Sequence, residues 1–129
     1  MLIIVDSAFY IDKQRARIDV RHLLGPWLLR SELLSCGLIR AEVLRGILKP
    51  EIKTDMQEFF DLVPEVPTDS RLWHQVSELV WELDRKGAVL PLTDIAISCC
   101  ALRQDATLIT TDSHFKLVPG LRVEKDLPR

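Results

Sequence analysis

Long apolar runs are missing from this sequence. Its longest stretches without a charged residue are eight residues, at 22–29 and 95–102. A membrane-spanning helix needs about 20 apolar residues and a secretory leader needs a continuous apolar core, so neither can be drawn from this material. Cysteine is scarce too. Cys36, Cys99 and Cys100 cannot build a disulfide framework, and no Cys/His spacing resembles a zinc site. Internal repeats, low-complexity tracts and linkers are absent, which leaves one domain for 129 residues. These absences set the expectation of a soluble, reduced, cytoplasmic protein. Positive net charge is lacking as well. A formal charge of −2 and a pI near 5.9 argue against binding nucleic acid by bulk charge alone.

What is present is globular material: 47% apolar and 28% charged residues, in a chain long enough to bury a core without staples. The charge is uneven. Residues 1–53 hold nine Lys/Arg and six Asp/Glu, a net +3, whereas residues 54–129 hold eight and thirteen, a net −5. The basic residues Arg15, Arg17, Arg21, Arg30, Arg40, Arg45, Lys49 and Lys53 are therefore either solvated helix faces or a local patch for a polyanion.

Met1 to Val5 is a short apolar run of the kind buried on both faces in a parallel sheet. No element is assigned to 8–16. Residues 17–30 carry apolar positions in helical register, with Gly25-Pro26 as a candidate break. Leu33 to Cys36 is a second strand candidate closed by Gly37, and Ile39, Val43 and Ile47 mark a helix ending near Lys49-Pro50. A short helix is expected over 51–62 and an edge strand over 63–66, where Pro64 and Pro67 bar a central position. The clearest helix spans 69–86 and stops at Gly87. Another opens at Pro91 to Asp94 and continues through a broadly apolar, central stretch to Leu102. Thr107 to Thr110 is a strand, Asp112 to Lys116 a helical turn, and Leu121 to Val123 a last strand. Strands alternating with helices give an α/β fold with a mostly parallel sheet.

Nineteen acids make position the only useful selector. Asp6 and Asp112 each follow an expected strand, so both fall beyond the carboxyl edge of one sheet, where open α/β sheets place ligands. Two carboxylates there repel each other unless a cation lies between them. Asp94 opens the most apolar helix, which also fits an ordinary acid in a first turn, stabilised by the helix dipole. Glu42 lies about 60° from Ile39 and about 100° from Val43 on a helix, on the flank of the inward stripe. It either pairs with a neighbour such as Arg45 or points into a polar cleft. Together the four form a hard oxygen set suited to Mg²⁺ or Mn²⁺ rather than zinc or copper, the usual device for phosphoryl chemistry.

At these residues the sequence resembles a known family. Leu2-Ile3-Ile4-Val5-Asp6-Ser7 is similar to the opening strand of PIN domains, whose first metal-binding Asp is followed by Ser or Thr. Residues 39–46 resemble their second motif around Glu42, residues 90–97 the third around Asp94, and residues 108–115 the fourth around Asp112. The trailing Val118-Pro119-Gly120-Leu121 also fits. The resemblance runs in order over nearly the whole chain, at the size of VapC-type toxins. It implies a three-layer α/β/α sandwich with an acidic pocket at the carboxyl edge of the sheet. It further implies an Mg²⁺- or Mn²⁺-dependent endoribonuclease that leaves a 3′-hydroxyl and a 5′-phosphate, a homodimer held by a small antitoxin protein. Asp6 and Asp94 would be direct metal ligands, with Glu42 and Asp112 completing the cluster. Ser7 and Thr110 would be hydroxyls orienting Asp6 and Asp112, and Arg40 and Arg45 would hold flanking RNA phosphates. Many relatives carry Asn at the fourth position, where this chain keeps Asp.

Other assignments are weaker. His114 is not needed as a base where a metal activates water, and His22 and His74 carry no partner signature. Cys99 and Cys100 read as small buried residues on an apolar helix. Trp73 falls on an apolar stripe suited to the core or a dimer interface, while Trp81 lies beside it. A receiver domain would require paired acids after the first strand, and a haloacid-dehalogenase-type phosphatase Asp-x-Asp, where position 8 is Ala. A non-catalytic RNA- or protein-binding module and a solitary housekeeping nuclease are the alternatives on the same fold.

Overall fold

Ile3, Ile4 and Val5 are wholly buried, so β1 (Ile3–Val5) has no solvent face, as its unbroken apolar run requires. In the computed structural model, which describes residues 1–128, β1 lies inside a four-stranded sheet of order β2-β1-β3-β4. Here β2 is Leu33–Leu34, β3 is Thr107–Ile109 and β4 is Val123–Glu124, and every pairing is parallel. A parallel sheet needs a crossover for each connection, and the helices supply these. They are α1 (Ser7–Arg15), α2 (Val20–Leu29), α3 (Gly37–Arg45), α4 (Pro50–Leu62), α5 (Ser70–Arg85) and α6 (Leu92–Arg103), with a 3₁₀ turn over Ser113–Leu117. The expected α/β/α architecture is the one observed.

The longest-range pairing decides which residues share an edge. β1 and β3 run side by side in the register Ile3↔Thr107, Ile4↔Leu108 and Val5↔Ile109. The ladder continues one step, with the Asp6 amide donating to the Ile109 carbonyl at 3.0 Å. Residues just past the two strands therefore emerge together at one edge.

Local departures from expectation have physical causes. α1 is capped by the Asp6 carboxylate, which accepts from the Ser7 amide, and buries Phe9 and Tyr10 side by side rather than in a repeating stripe. α2 starts only at Val20, where Asp19 accepts from the Arg21 amide. Pro26 sits inside α2 without ending it, although its ring lacks the N–H that would donate to the His22 carbonyl. The second strand is shorter than expected: Cys36 serves as the N-cap of α3, and α3 ends at Gly46 rather than near Lys49. The 63–66 segment reaches the sheet edge through a single parallel bridge, Ser35↔Glu65, as its two prolines dictate. α5 ends at Arg85, and Gly87 just beyond its cap has a φ of +79° that favours glycine. α6 is buried from Ile95 to Ala101, which puts both Cys99 and Cys100 inside. Trp73, by contrast, is 41% exposed, and its indole N–H donates to the Thr68 carbonyl.

Candidate active site

Asp6 leaves β1 at the carboxyl edge and is 2% exposed. A buried carboxylate needs donors, and two surround it. The Ser7 amide donates to Oδ1 at 2.9 Å, and the Thr110 hydroxyl donates to Oδ2 at 2.8 Å. Burial nevertheless dominates and raises the Asp6 pKa to about 6. The Thr110 and Ser7 hydrogen bonds hold it down, while the charges of Asp94 and Asp112 push it further up.

The Ser7 hydroxyl has one proton to give. It lies 3.2 Å from Glu42 Oε1 and 3.5 Å from Asp6 Oδ1, so its shorter contact is to Glu42. Glu42, half-buried on α3, is also raised above its ordinary value. Burial is the first cause and the Asp94 charge adds to it, against the Ser7 bond and the nearby Arg45. Asp94 stands in the first turn of α6, whose cap residue Pro91 offers no side chain to the free amides. Its Oδ2 lies 2.7 Å from His114 Nε2. Asp112 follows β3, and its amide donates to the Thr110 hydroxyl at 3.1 Å.

The structure thus places Asp94 within electrostatic reach of both Asp6 and Glu42, and Asp112 within reach of Asp6. It modifies one expectation. The Thr110 hydroxyl orients the Asp6 carboxylate and takes hold of the Asp112 backbone, rather than the Asp112 side chain. Ser7 serves Glu42 as well as Asp6. Arg40 is engaged with Asp61 of α4 at 2.7 Å, whereas Arg45 is exposed one turn beyond Glu42.

Among the described residues, no three His, Cys, Asp or Glu side chains converge closely enough to form a ready-made cage for a metal ion. The donor chemistry is nonetheless that of Mg²⁺ or Mn²⁺, which use one or two carboxylates and keep several waters. Asp6 meets hydroxyl and amide donors but two further carboxylate charges, so a divalent cation would relieve a repulsion built into the fold. His114, which the sequence offers only as an unneeded general base, instead bonds Asp94. The neighbouring Phe115 is wholly buried and holds the imidazole in a stack at 4.8 Å.

The same fold recurs among known proteins. The family profile described as "PIN domain" matches residues 3–121. Ribonuclease VapC2 of Rickettsia felis is 27% identical over 93 residues, spanning 68% of this chain and 69% of that protein. Among solved structures, VapBC2 from Rickettsia felis bound to a promoter DNA fragment has a chain that superposes with a TM-score of 0.79 at 21% identity, covering 96% of this chain and 98% of that one. DNA-bound VapBC from Salmonella typhimurium gives a TM-score of 0.80 at 21% identity, with the same coverage of 96% and 98%. VapBC-1 from nontypeable Haemophilus influenzae gives 0.78 at 19% identity, covering 96% and 97%.

Proposed function

The chain belongs to the PIN-domain family, and on that premise we propose that it is a metal-dependent endoribonuclease acting as the toxin of a VapBC-type pair. The observation that carries this reading is the Asp6 carboxylate, buried at the carboxyl edge of a parallel sheet with the charges of Asp94 and Asp112 upon it. Such an arrangement stores repulsion that a binding surface for RNA has no use for and a metal site does.

Asp6 and Asp94 would hold Mg²⁺ or Mn²⁺, with Glu42 and Asp112 completing the cluster. When bound, the ion activates water for attack on a phosphodiester and offsets charge on the phosphate oxygens. The chain's own residues do the positioning. Thr110 and the Ser7 amide fix both oxygens of Asp6, and the Ser7 hydroxyl aims Glu42. Arg45 is available for a flanking phosphate, while Arg40 would first have to leave Asp61.

An antitoxin partner is supported by a groove of about 660 Å³ between α1, α3 and α4. Ile11, Ile18, Ile47 and Leu48 line it, with Arg15 and Lys49 among its charged residues, and Leu48 is 95% exposed. A small protein offering an apolar segment flanked by acidic residues matches it in both chemistry and charge.

The test is direct. Purified protein with Mg²⁺ or Mn²⁺ should cleave RNA, leaving 5′-phosphate ends, and Asp94→Asn should reduce cleavage to background. Equal cleavage by the variant would sink the assignment.

A further inference from the structure

Each buried or half-buried carboxylate of the cluster has a donor that fixes one of its oxygens. Thr110 serves Asp6, and Ser7 serves Glu42. For Asp94 the donor is a histidine, and the motif that supplies it is the one that contributes Thr110 and Asp112. We propose that His114 is a positioning residue that holds Asp94 in its metal-binding orientation, an inference that rests on the nuclease reading above.

Three observations carry it. The first is the contact itself, Nε2 to Oδ2 at 2.7 Å, within the range of charge-assisted hydrogen bonds. An ionised carboxylate only accepts, so the proton lies on Nε2, in the neutral tautomer and in the imidazolium alike. The second is the mounting of the ring. The imidazole stacks on Phe115 with 24° between planes, and Phe115 is wholly buried, so the donor is fixed to the core rather than swinging from a loop. The third is what Asp94 would otherwise do. It is the third residue of α6, and Pro91 gives the first turn no side-chain cap. Free amides there attract a carboxylate at this position back onto the helix end. His114 takes Oδ2 instead, so that Oδ1 would remain available to a divalent cation.

The role differs from that of a general base. The His114 Nε2 is committed to the Asp94 carboxylate, and the role proposed here asks nothing of Nδ1. Its contribution is to order one ligand before the ion arrives, the kind of support whose loss typically weakens metal affinity about 10- to 100-fold.

The experiment compares Mn²⁺ binding by the metal-free, intact protein and two variants of similar bulk, using the spin-resonance signal of free Mn²⁺. His114→Leu keeps the packing on Phe115 and removes the donor. His114→Gln supplies an amide N–H at a reach close to that of Nε2. We expect His114→Leu to bind Mn²⁺ about 10-fold more weakly, and His114→Gln to return to within about 3-fold of the unaltered protein. Circular dichroism confirms folding, and His114→Ala repeats the comparison should the leucine variant misfold. Undiminished Mn²⁺ affinity in the leucine or alanine variant would overturn the proposal, as would a glutamine variant as weak as leucine. If the unaltered protein and Asp94→Asn both fail to bind Mn²⁺, the nuclease reading falls and this proposal falls with it.

Discussion

Tyr10 and Asp6 are both buried polar residues, and the fold treats them differently. The Tyr10 side chain is wholly enclosed, 5.1 Å from Phe60 and against Phe9 and Phe59, and its hydroxyl has no hydrogen-bond partner among the described residues. Burial pushes its pKa well above the usual tyrosine value. Tyr10→Phe removes that unsatisfied group at nearly constant shape. Stability in urea should hold or rise, by up to about 1 kcal/mol, and a clear fall would reveal a partner the side chain does have. Asp6 has donors but the wrong net surroundings. Its folded pKa of about 6 lies above the ordinary 3.8, so the fold favours the protonated form. The stability that protonation protects is fully present below pH 3.8 and is lost as pH rises through 6, by about 3 kcal/mol. In chelator, Asp6→Asn should therefore melt several degrees above the unaltered protein at pH 8, with the gap closing towards pH 4. Asp6 and Asp112 are legible in the sequence because each follows a strand. His114 is not, because its significance lies in an acid 20 positions away that no local pattern connects to it.

At the scale of elements, legibility follows apolar periodicity. α5 repeats its stripe over several turns and is plain. α1 buries Phe9 and Tyr10 in adjacent positions and offers no repeat, so its helical state comes from the Asp6 cap and from packing on its neighbours. The strand near 33–36 reads as longer than it is because Ser35 and Cys36 are buried like strand residues, although Cys36 caps α3. One capping residue also ties two helices together. Asp69 accepts from the Leu72 amide at 3.0 Å and takes a bidentate pair from Arg103 of α6 at 2.8 and 3.0 Å. The Arg103 bond, followed by the Leu72 amide, lowers the Asp69 pKa to about 2. Its stabilisation is present above the ordinary carboxylate value and fades as pH falls through 2. Asp69→Asn keeps the cap and should lower the Tm slightly, since exposed pairs contribute little. Asp69→Ala loses cap and pair together and should lower it further in the same melting series.

For the whole molecule, the class of fold and the edge holding the acids can be read from the order of strands, helices and carboxylates. The sheet order cannot, because the pairing of β1 with β3 is a tertiary choice made across most of the chain. Metal binding, if the nuclease reading holds, must appear as stability of the whole. Mn²⁺ at a hundred times its dissociation constant should add about 2.7 kcal/mol and raise the Tm by several degrees. Asp94→Asn should show little of that rise, and the absence of any metal effect on the unaltered protein would favour a binding module without catalysis.

The placement of β3 between β1 and β4 also imposes a timetable. Thr110 is made 104 residues after Asp6, so a growing chain carries half of its acidic edge for most of its synthesis. At ordinary ribosomal speeds the interval is roughly 5 to 20 s. Until β3 has emerged and slid in beside β1, the nascent chain lacks the assembled acidic edge that the proposed nuclease would need. Damage to the segment around 107–124 would take that edge apart as completely as loss of the first strand.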